Sequence, residues 1–432
     1  MTWEILMNEK EAAPYKEKLS VISDTLIKHY EEVKKKENEK PAAETETGEA
    51  PHPRIAGDNI GLLGGKAGMA LFFFYYAKLT NDDKYADYGA ELISDIFDDI
   101  NNAEGYILHT HGGGLAGVGW TVEHLAQNDF LDTDTNEVLE TLDPYLHKTM
   151  INDITNENYD FLHGAVGNGV YFLNRLGNAK SRDYLKDLID QLDRTSHKDD
   201  DGARKWLSIL NREEGTKGYN LSLSHGIASI IAFLGKVVEQ GIETEKASLL
   251  LNGAVQYLLK FKLDRSKFAS NFPSWISETE PLGQSRLAWC YGDLGIGIAL
   301  WQAAQSMANK EWAEIASNTL LDSTARKDIK ENAVIDAGLC HGAAGITHIY
   351  NRAFNYTGID TFKESTLYWA QQTLNLATHD DGYAGYKAWH TEKYGGWISE
   401  AGLLEGISGI GLAFISLISD IEPKWDRCLF MS

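Results

Sequence analysis

The sequence predicts an all-α protein in which repeated helical hairpins close into an (α/α)7 toroid of about fourteen helices. The first observation is a Gly-x-x-Gly step, followed each time by an apolar helical stretch, which occurs seven times with one serine substitution. The second is its spacing, because the first glycines lie 49, 50, 62, 66, 50 and 64 residues apart. The steps are Gly65–Gly68, Gly114–Gly117, Gly164–Gly167, Gly226–Ser229, Gly292–Gly295, Gly342–Gly345 and Gly406–Gly409.

Each step opens one helix, and a second helix fills the interval to the next step. After the sixth step, Ile346, Ile349, Tyr350 and Phe354 follow the spacing of one helical face. Residues 83–100 and 246–261 show the same periodicity between steps. Glycines at the helix starts let neighbouring helices approach closely. Closure into a ring is favoured over an open superhelix, since no terminal hairpin resembles a polar cap.

The ends of the repeats and three long intervals need separate interpretations. Residues 10 to about 36 predict an amphipathic helix, and the charged stretch from Glu32 to Pro53 predicts a solvated linker. We therefore divide the chain into residues 1–53 and a toroid domain of residues 54–432. Insertions at about 196–220, 263–288 and 379–400 lack helical periodicity. They predict loops or small hairpins at the rim of the cavity, either functional or surface ornament.

Composition excludes several classes of partner. The 432 residues are 43% apolar and 24% charged, with 40 Lys plus Arg against 63 Asp plus Glu and a net charge of −23. This negative field disfavours nucleic acid and anionic membrane surfaces. Three cysteines cannot form a disulfide framework, which indicates a reducing compartment. With no signal pattern and no apolar run long enough to cross a bilayer, we expect a cytoplasmic protein without membrane insertion.

Alignment of the repeats by their first glycines predicts a metal site. Cys290 and Cys340 occupy the same slot in adjacent repeats, two residues before the glycine, and His341 follows directly. In a ring these three side chains converge at one mouth of the cavity. Two thiolates and one imidazole suit Zn²⁺ and leave a fourth position for water or substrate, as in catalytic sites. Cys428 lies outside the repeat slots and is expected to be inert.

Other polar residues near the same end are candidates for acid–base chemistry. His225 directly precedes the fourth glycine, Asp160 lies four residues before Gly164, Arg286 lies four before Cys290, and Tyr291 follows that cysteine. Structural alternatives stay open, because a histidine at a helix start or an aspartate cap needs no catalytic role. Glu405 could stabilise a helix N-terminus as an anion. Structural roles are favoured for His109, His111, His163 and His348.

Taken together, these motifs resemble those of the lanthionine synthetase C-like proteins, the lantibiotic cyclases. The resemblance runs from about Ile60 to Asp420 and rests mainly on Trp289-Cys290-Tyr291-Gly292 and Cys340-His341-Gly342, with Ser224-His225-Gly226 and Tyr159-Asp160 in support. It implies a seven-fold α/α toroid with one zinc ion held by two cysteines and a histidine. Ser229, in place of the second glycine of the fourth step, and the segment up to Pro53 depart from the pattern.

The implied activity is cyclisation of a ribosomal precursor peptide. A partner dehydratase forms dehydroalanine or dehydrobutyrine, and the cyclase adds a peptide Cys thiol to give a lanthionine or methyllanthionine thioether. The resemblance implies that His225 is the acid or base and that Asp160 assists thiol deprotonation or orientation; it leaves open which of the two takes the thiol proton. It likewise implies that Arg286 stabilises the enolate, that Tyr291 lies close to the zinc, and that the cyclase joins a dehydratase and transporter complex.

Three alternatives remain at this point. Relatives outside antibiotic pathways can add glutathione to dehydrated residues, which keeps the site and changes the thiol. A non-catalytic peptide-binding toroid would carry structural zinc, with His225 or Glu405 as the fourth ligand. A glycosidase or a terpene-type cyclase would need paired carboxylates at the cavity, where the repeat slots offer Cys and His.

Overall fold

The computed structural model describes residues 3–39, 60–211 and 214–432. Within them the fold is almost entirely helical. The α-helices are α1 Glu9–Glu39, α2 Lys66–Thr80, α3 Asp83–Asn101, α4 Leu115–Gln127, α5 Thr135–Val138, α6 Leu142–Thr155, α7 Ala165–Asn174, α8 Ser181–Thr195, α9 Ile227–Glu239, α10 Thr244–Leu259, α11 Asp293–Ser306, α12 Lys310–Ser323, α13 Ala343–Thr357, α14 Asp360–Asn375 and α15 Ile407–Ile418. None of these helices is both long and apolar enough to cross a lipid bilayer.

Seven inner and seven outer helices form the ring. The inner helices α2, α4, α7, α9, α11, α13 and α15 each begin directly after the first glycine of a step. They are buried nearly all round, and every residue of α15 is buried. The outer helices α3, α6, α8, α10, α12 and α14 bury one face only, as amphipathic surface helices do. The predicted (α/α)7 toroid is confirmed, with the short α5 as an addition.

The second glycine of each step is required by close backbone approach. A Cβ at Gly117 would overlap the carbonyl oxygen of His111, and one at Gly345 would overlap that of Leu339. In both cases the blocking oxygen lies six residues earlier, in the loop that leads into the helix. A side chain would push this loop away from the helix start. At the fourth step the fully buried Ser229 donates its hydroxyl hydrogen to Gly226 O at 2.7 Å.

Backbone hydrogen bonds join these loops from one repeat to the next and close the ring. The end of the ring at which the inner helices begin is called the glycine end below. There the last repeat bonds back to the first, because Leu404 N donates to Leu63 O at 2.8 Å. Five other junctions are bonded in the same way, through Leu63 N to Gly112 O, Gly112 N to Leu162 O, Leu223 N to Cys290 O, Cys290 N to Cys340 O and Cys340 N to Leu404 O. At the junction between the third and fourth repeats, Leu162 N donates instead to Asp160 Oδ1.

Helix α1 is the seventh outer helix. Its Leu19, Ile22 and Leu26 are fully buried, and the Tyr15 ring meets Phe414 of α15 edge-on at 5.1 Å between centroids. The helix ends at Glu39, beyond the residue where the sequence predicts a linker to begin. The rest of that linker and the boundary after residue 53 lie outside the described residues, so the division into two segments stays a prediction.

The three insertions form small antiparallel sheets, as predicted. Their strands are β1 His197–Lys198, β2 Arg204–Lys205, β3 Ser208–Asn211, β4 Thr216–Asn220, β5 Trp275–Ile276, β6 Ala388–Trp389 and β7 Trp397–Ile398. Strand β1 pairs with β2, β6 pairs with β7, and β4 lies between β3 and β5. The second insertion thus completes the sheet of the first, through Tyr219 opposite Ile276 and Asn220 opposite Trp275.

The C-terminal segment fills the interior of the ring. The Trp289 indole donates to Leu429 O at 2.9 Å and the Gln302 amide to Phe430 O at 2.6 Å. His111 Nε2 lies 2.8 Å from Cys428 O. Cys428 is fully buried, and this burial raises the pKa of its thiol well above the usual range. Its side chain is therefore a neutral part of the core, in line with the inert role expected from the sequence.

A buried ion pair anchors this segment. Asp426 Oδ2 accepts from Arg352 Nε at 2.6 Å and lies 2.7 Å from His348 Nε2. Burial opposes ionisation of Asp426, but Arg352 and His348 offset it and hold the pKa of the carboxyl below its ordinary value. Because loss of either partner would leave a buried charge, this contact fixes the position of the tail strongly.

We expect substitution of a buried α1 residue to destabilise the whole ring. Leu19→Ala should lower the free energy of unfolding by about 2–5 kcal/mol, since it leaves a cavity between α1 and the ring. Val21→Ala, at a position that is 42% exposed on the same helix, is the matched control and should change it by less than about 0.5 kcal/mol. Urea denaturation followed by circular dichroism measures both, and equal effects would contradict the assignment of α1 to the ring.

Two buried histidines should make the fold sensitive to acid. Burial lowers the pKa of His111 to about 4 and that of His124 to about 3, against about 6.5 in an unfolded chain. Below pH 6.5 the unfolded chain takes up protons that the folded chain does not, so stability falls as the pH drops. We expect a loss of up to roughly 3 kcal/mol per histidine by pH 4.

Thermal unfolding between pH 7 and pH 4 measures this dependence. His124→Phe should flatten the curve, whereas His197→Phe, at an exposed strand position, should leave its slope unchanged. A wild-type melting temperature that is constant across this range would refute the prediction.

Candidate metal centre

Cys290, Cys340 and His341 converge at the glycine end. Cys290 lies just before α11, and Cys340 and His341 lie just before α13. The bond from Cys290 N to Cys340 O, at 3.1 Å, holds the two loops side by side. Within the described residues these three side chains are the one group with metal-ligand geometry, and their donor atoms lie within 4.8 Å of one another. Adjacent repeats thus bring the equivalent slots together, as the sequence alignment predicts.

The ionisation of each side chain in this group depends on the other two. A hydrogen bond from Cys340 lowers the pKa of Cys290 well below the thiol value, helped by His341 and opposed by burial. The same bond, together with burial, raises the pKa of Cys340. For His341, burial favours the neutral ring, but Asp336 and Cys290 outweigh it and raise the pKa to about 10. The site thus stabilises negative charge on sulfur, and a donor set of two sulfurs and one imidazole fits Zn²⁺.

Acidic residues surround the histidine of this group. Asp336 is nearly fully buried, and its Oδ2 lies 3.2 Å from His341 Nε2 while accepting from Trp389 N at 3.0 Å. Glu405 Oε1 lies 4.0 Å from His341 Nδ1. Asp336 was not singled out from the sequence, although it precedes Cys340 by the four residues that separate Arg286 from Cys290. It ties the metal group to strand β6.

Asp160 and His225 form a hydrogen-bonded pair at the junction between the third and fourth repeats. Here Leu162 N and His163 N both donate to Asp160 Oδ1 at 2.8 Å. Asp160 Oδ2 lies 2.7 Å from His225 Nδ1. Burial raises the pKa of Asp160, but the bond and charge of His225 outweigh it, so the net direction is down. The carboxylate therefore stays ionised, places the proton of His225 on Nδ1 and directs Nε2 away from itself.

Tyr291 lies close to this pair, and Arg286 lies near Cys290. The Tyr291 ring is 6.3 Å from that of His225, and its hydroxyl accepts from the Asn220 amide at 3.3 Å. Burial raises the pKa of Tyr291, so the phenol stays protonated. Arg286 donates from Nη2 to Ala333 O at 2.6 Å, and its charge helps to lower the pKa of Cys290.

A cavity of about 470 Å³ opens beside the Asp160–His225 pair. Asp160, His163, His225 and Tyr291 line one side, and the first insertion supplies aliphatic side chains that include Ile209, which is 59% exposed. The structure thus brings three of the four predicted catalytic residues to one cavity, while Arg286 lies behind it, near Cys290. His163, which the sequence placed in a structural role, also lines this cavity. Its position in the same slot as His225 was the available signal.

This geometry defines a class of protein, an (α/α)7 toroid with a Cys₂His group at one mouth that could hold a metal ion. A family model described as "Lanthionine synthetase C-like protein" matches residues 58–430, and the chain belongs to this family. The "Nisin biosynthesis protein NisC" of Lactococcus lactis subsp. lactis is 24% identical over 405 residues, which cover 86% of this chain and 90% of that protein. A solved structure of "Nisin cyclase" shares the fold, with a TM-score of 0.71 at 20% identity over 87% of this chain and 93% of the other.

Removal of one sulfur should empty the metal site. Cys290→Ala should leave well below one zinc ion per chain, because two remaining ligands bind weakly. Elemental analysis of protein purified without chelators measures the content. Cys428→Ala removes the third cysteine without touching the group and should retain zinc. Full zinc retention in Cys290→Ala would refute the assignment.

Proposed function

We propose that this protein is a zinc-dependent cyclase that adds peptide Cys thiols to dehydroalanine or dehydrobutyrine and so forms lanthionine and methyllanthionine rings. The observation that carries the proposal is one juxtaposition. The Cys290, Cys340 and His341 group lies next to Tyr291, and Tyr291 lines the same cavity as the Asp160–His225 pair. A soft metal group thus adjoins an acid–base pair, and a thiol addition needs both.

Zinc held by Cys290, Cys340 and His341 would supply one effect, a lowered pKa for the substrate thiol at its open position. The other tasks fall to side chains of this chain. His225 Nε2 accepts the thiol proton, while Asp160 holds Nδ1–H and stabilises the resulting imidazolium. Asp160 therefore orients the base, and its contact with His225 favours the ionised carboxylate.

The addition places negative charge on the enolate of the dehydro residue. The Tyr291 phenol, kept protonated by burial, can donate a hydrogen bond to it. Arg286 supplies positive charge behind Cys290. Both residues act on charge that develops during the reaction, which is where electrostatic stabilisation is most effective.

The substrate under this proposal is a dehydrated ribosomal precursor peptide. The relative named for nisin biosynthesis supports a peptide of the lantibiotic type. We further propose that the protein acts in the cytoplasm beside a dehydratase and a transporter. The aliphatic wall that includes Ile209 offers contact to the side chains of such a peptide.

One observation favours a second candidate, a peptide-binding toroid in which zinc is structural. Glu405 is close enough to His341 for a small movement to bring its carboxylate to the metal. A fourth protein ligand would close the position that the thiol needs. Turnover by the zinc-loaded protein separates the two candidates.

His225→Asn should retain zinc and lose cyclisation, because it removes the base without touching the metal group. The protein is incubated with a dehydrated, Cys-containing peptide and then with a thiol-alkylating reagent. Mass spectrometry scores ring closure as loss of the alkylated species without change in peptide mass. We expect a rate reduction of about 10²–10⁴.

His147→Asn is the matched control, since His147 on α6 lies 2.8 Å from Asp187 and is not among the residues that line the cavity. It should cyclise at the wild-type rate. Activity of His225→Asn at that rate would refute the role of His225, and a zinc-loaded wild type that never cyclises would favour the structural-zinc candidate.

A further inference from the structure

His163 differs from the other histidines beside the glycine steps. His109 lies 2.7 Å from Asp153 Oδ2, His111 2.8 Å from Cys428 O, and His348 2.7 Å from Asp426 Oδ2. These three serve the structural roles expected from the sequence. His163 is exposed and lines the 470 Å³ cavity with His225. The same slot in consecutive repeats therefore presents two imidazoles to one space.

The two imidazoles stack, and one carboxylate contacts the ring of His225 and the backbone of His163. Their ring centroids are 5.8 Å apart, and the ring planes differ by 20°. His225 Nδ1 contacts Asp160 Oδ2 at 2.7 Å, and the backbone N of His163 donates to Oδ1 at 2.8 Å. The side-chain charge of His163 also acts on Asp160. Asp160 thus holds both the ring of His225, the base of the proposed reaction, and the backbone of His163.

The surroundings of the two imidazoles differ. His225 is bonded to the Asp160 carboxylate, which suits a group that accepts a proton and becomes positive. His163 is exposed, lies 5.8 Å from it and lines the same cavity. The further ionisable side chains that line the cavity are Glu157, Tyr159, Lys217 and Tyr291.

We propose that His163 is the proton donor of the addition, an inference that rests on the function proposed above. His225 takes the thiol proton, the sulfur–Cβ bond forms, and the Cα–Cβ π bond breaks to give the enolate. His163 then transfers its ring proton to Cα, which completes the thioether. The exposed His163 regains a proton from solvent, and His225 releases the thiol proton to solvent. One proton is thus lost from sulfur and one gained at carbon.

His163→Phe keeps an aromatic ring against His225 and removes the ring N–H that donates the proton. We expect zinc content to stay at the wild-type level and cyclisation to slow by at least about tenfold. The alkaline limb of the pH–rate profile, where the donor loses its proton, should disappear. Solvent then protonates Cα from either face, so hydrolysed product should contain both Cα epimers by chiral gas chromatography, where the wild type gives one.

His163→Gln repeats these measurements if the phenylalanine variant does not fold, as judged by circular dichroism. His147→Phe is the control for loss of a half-buried histidine that does not line the cavity. A cyclising wild type whose His163 variants keep its rate, its pH profile and its single epimer would overturn this inference alone. A wild type that forms no thioether would overturn the proposed function and, with it, this inference.

Discussion

The structure depends on the backbone contact between neighbouring loops at the glycine end. Six of the seven loops donate an N–H to the carbonyl of the next loop, and the bond from Leu404 to Leu63 closes the circle. Such bonds require the loops to lie within about 3 Å of each other, and six of the helix starts carry a glycine where a Cβ would meet a carbonyl oxygen. Each inner helix begins directly after its loop, so this contact helps to position the inner helices.

The chemistry of the site follows from the same contact. The residues beside the glycines are held in register by the backbone, so their side chains can vary without disturbing the ring. Cys290 and Cys340 meet because their own backbones are bonded. At the junction of the third and fourth repeats the amide of Leu162 turns to Asp160, and the cavity opens at this place. The point where the backbone pattern changes is thus the point where an acid–base pair and space for a ligand occur together.

Features that repeat along the chain could be predicted from the sequence, and features that join distant segments could not. The regular spacing of the glycine steps predicts the toroid. It also predicts that Cys290 lies beside Cys340, because both occupy the same position in a repeat that occurs seven times. The C-terminal segment that fills the ring has no repeat pattern in the sequence. Its position depends on a contact between Asp426 and Arg352, which are 74 residues apart. The same holds for the segment before α1, where Trp3 donates to the carbonyl of Ser416. The exposure of His163 to the cavity could not be predicted, because a slot shows where a residue lies along a repeat, whereas exposure depends on the neighbouring repeat.

Closure of the ring also constrains the order in which the protein can be made. The first helix packs on the last, and the final residues fill the interior. During synthesis the inner surfaces of the early repeats have no covering until the segment that contains Asp426 has left the ribosome. Hairpins can form one by one as they emerge, but the core is completed only after this segment is available. A nascent chain halted before Asp426 would expose an apolar interior, which makes truncated products natural targets for chaperones and proteases.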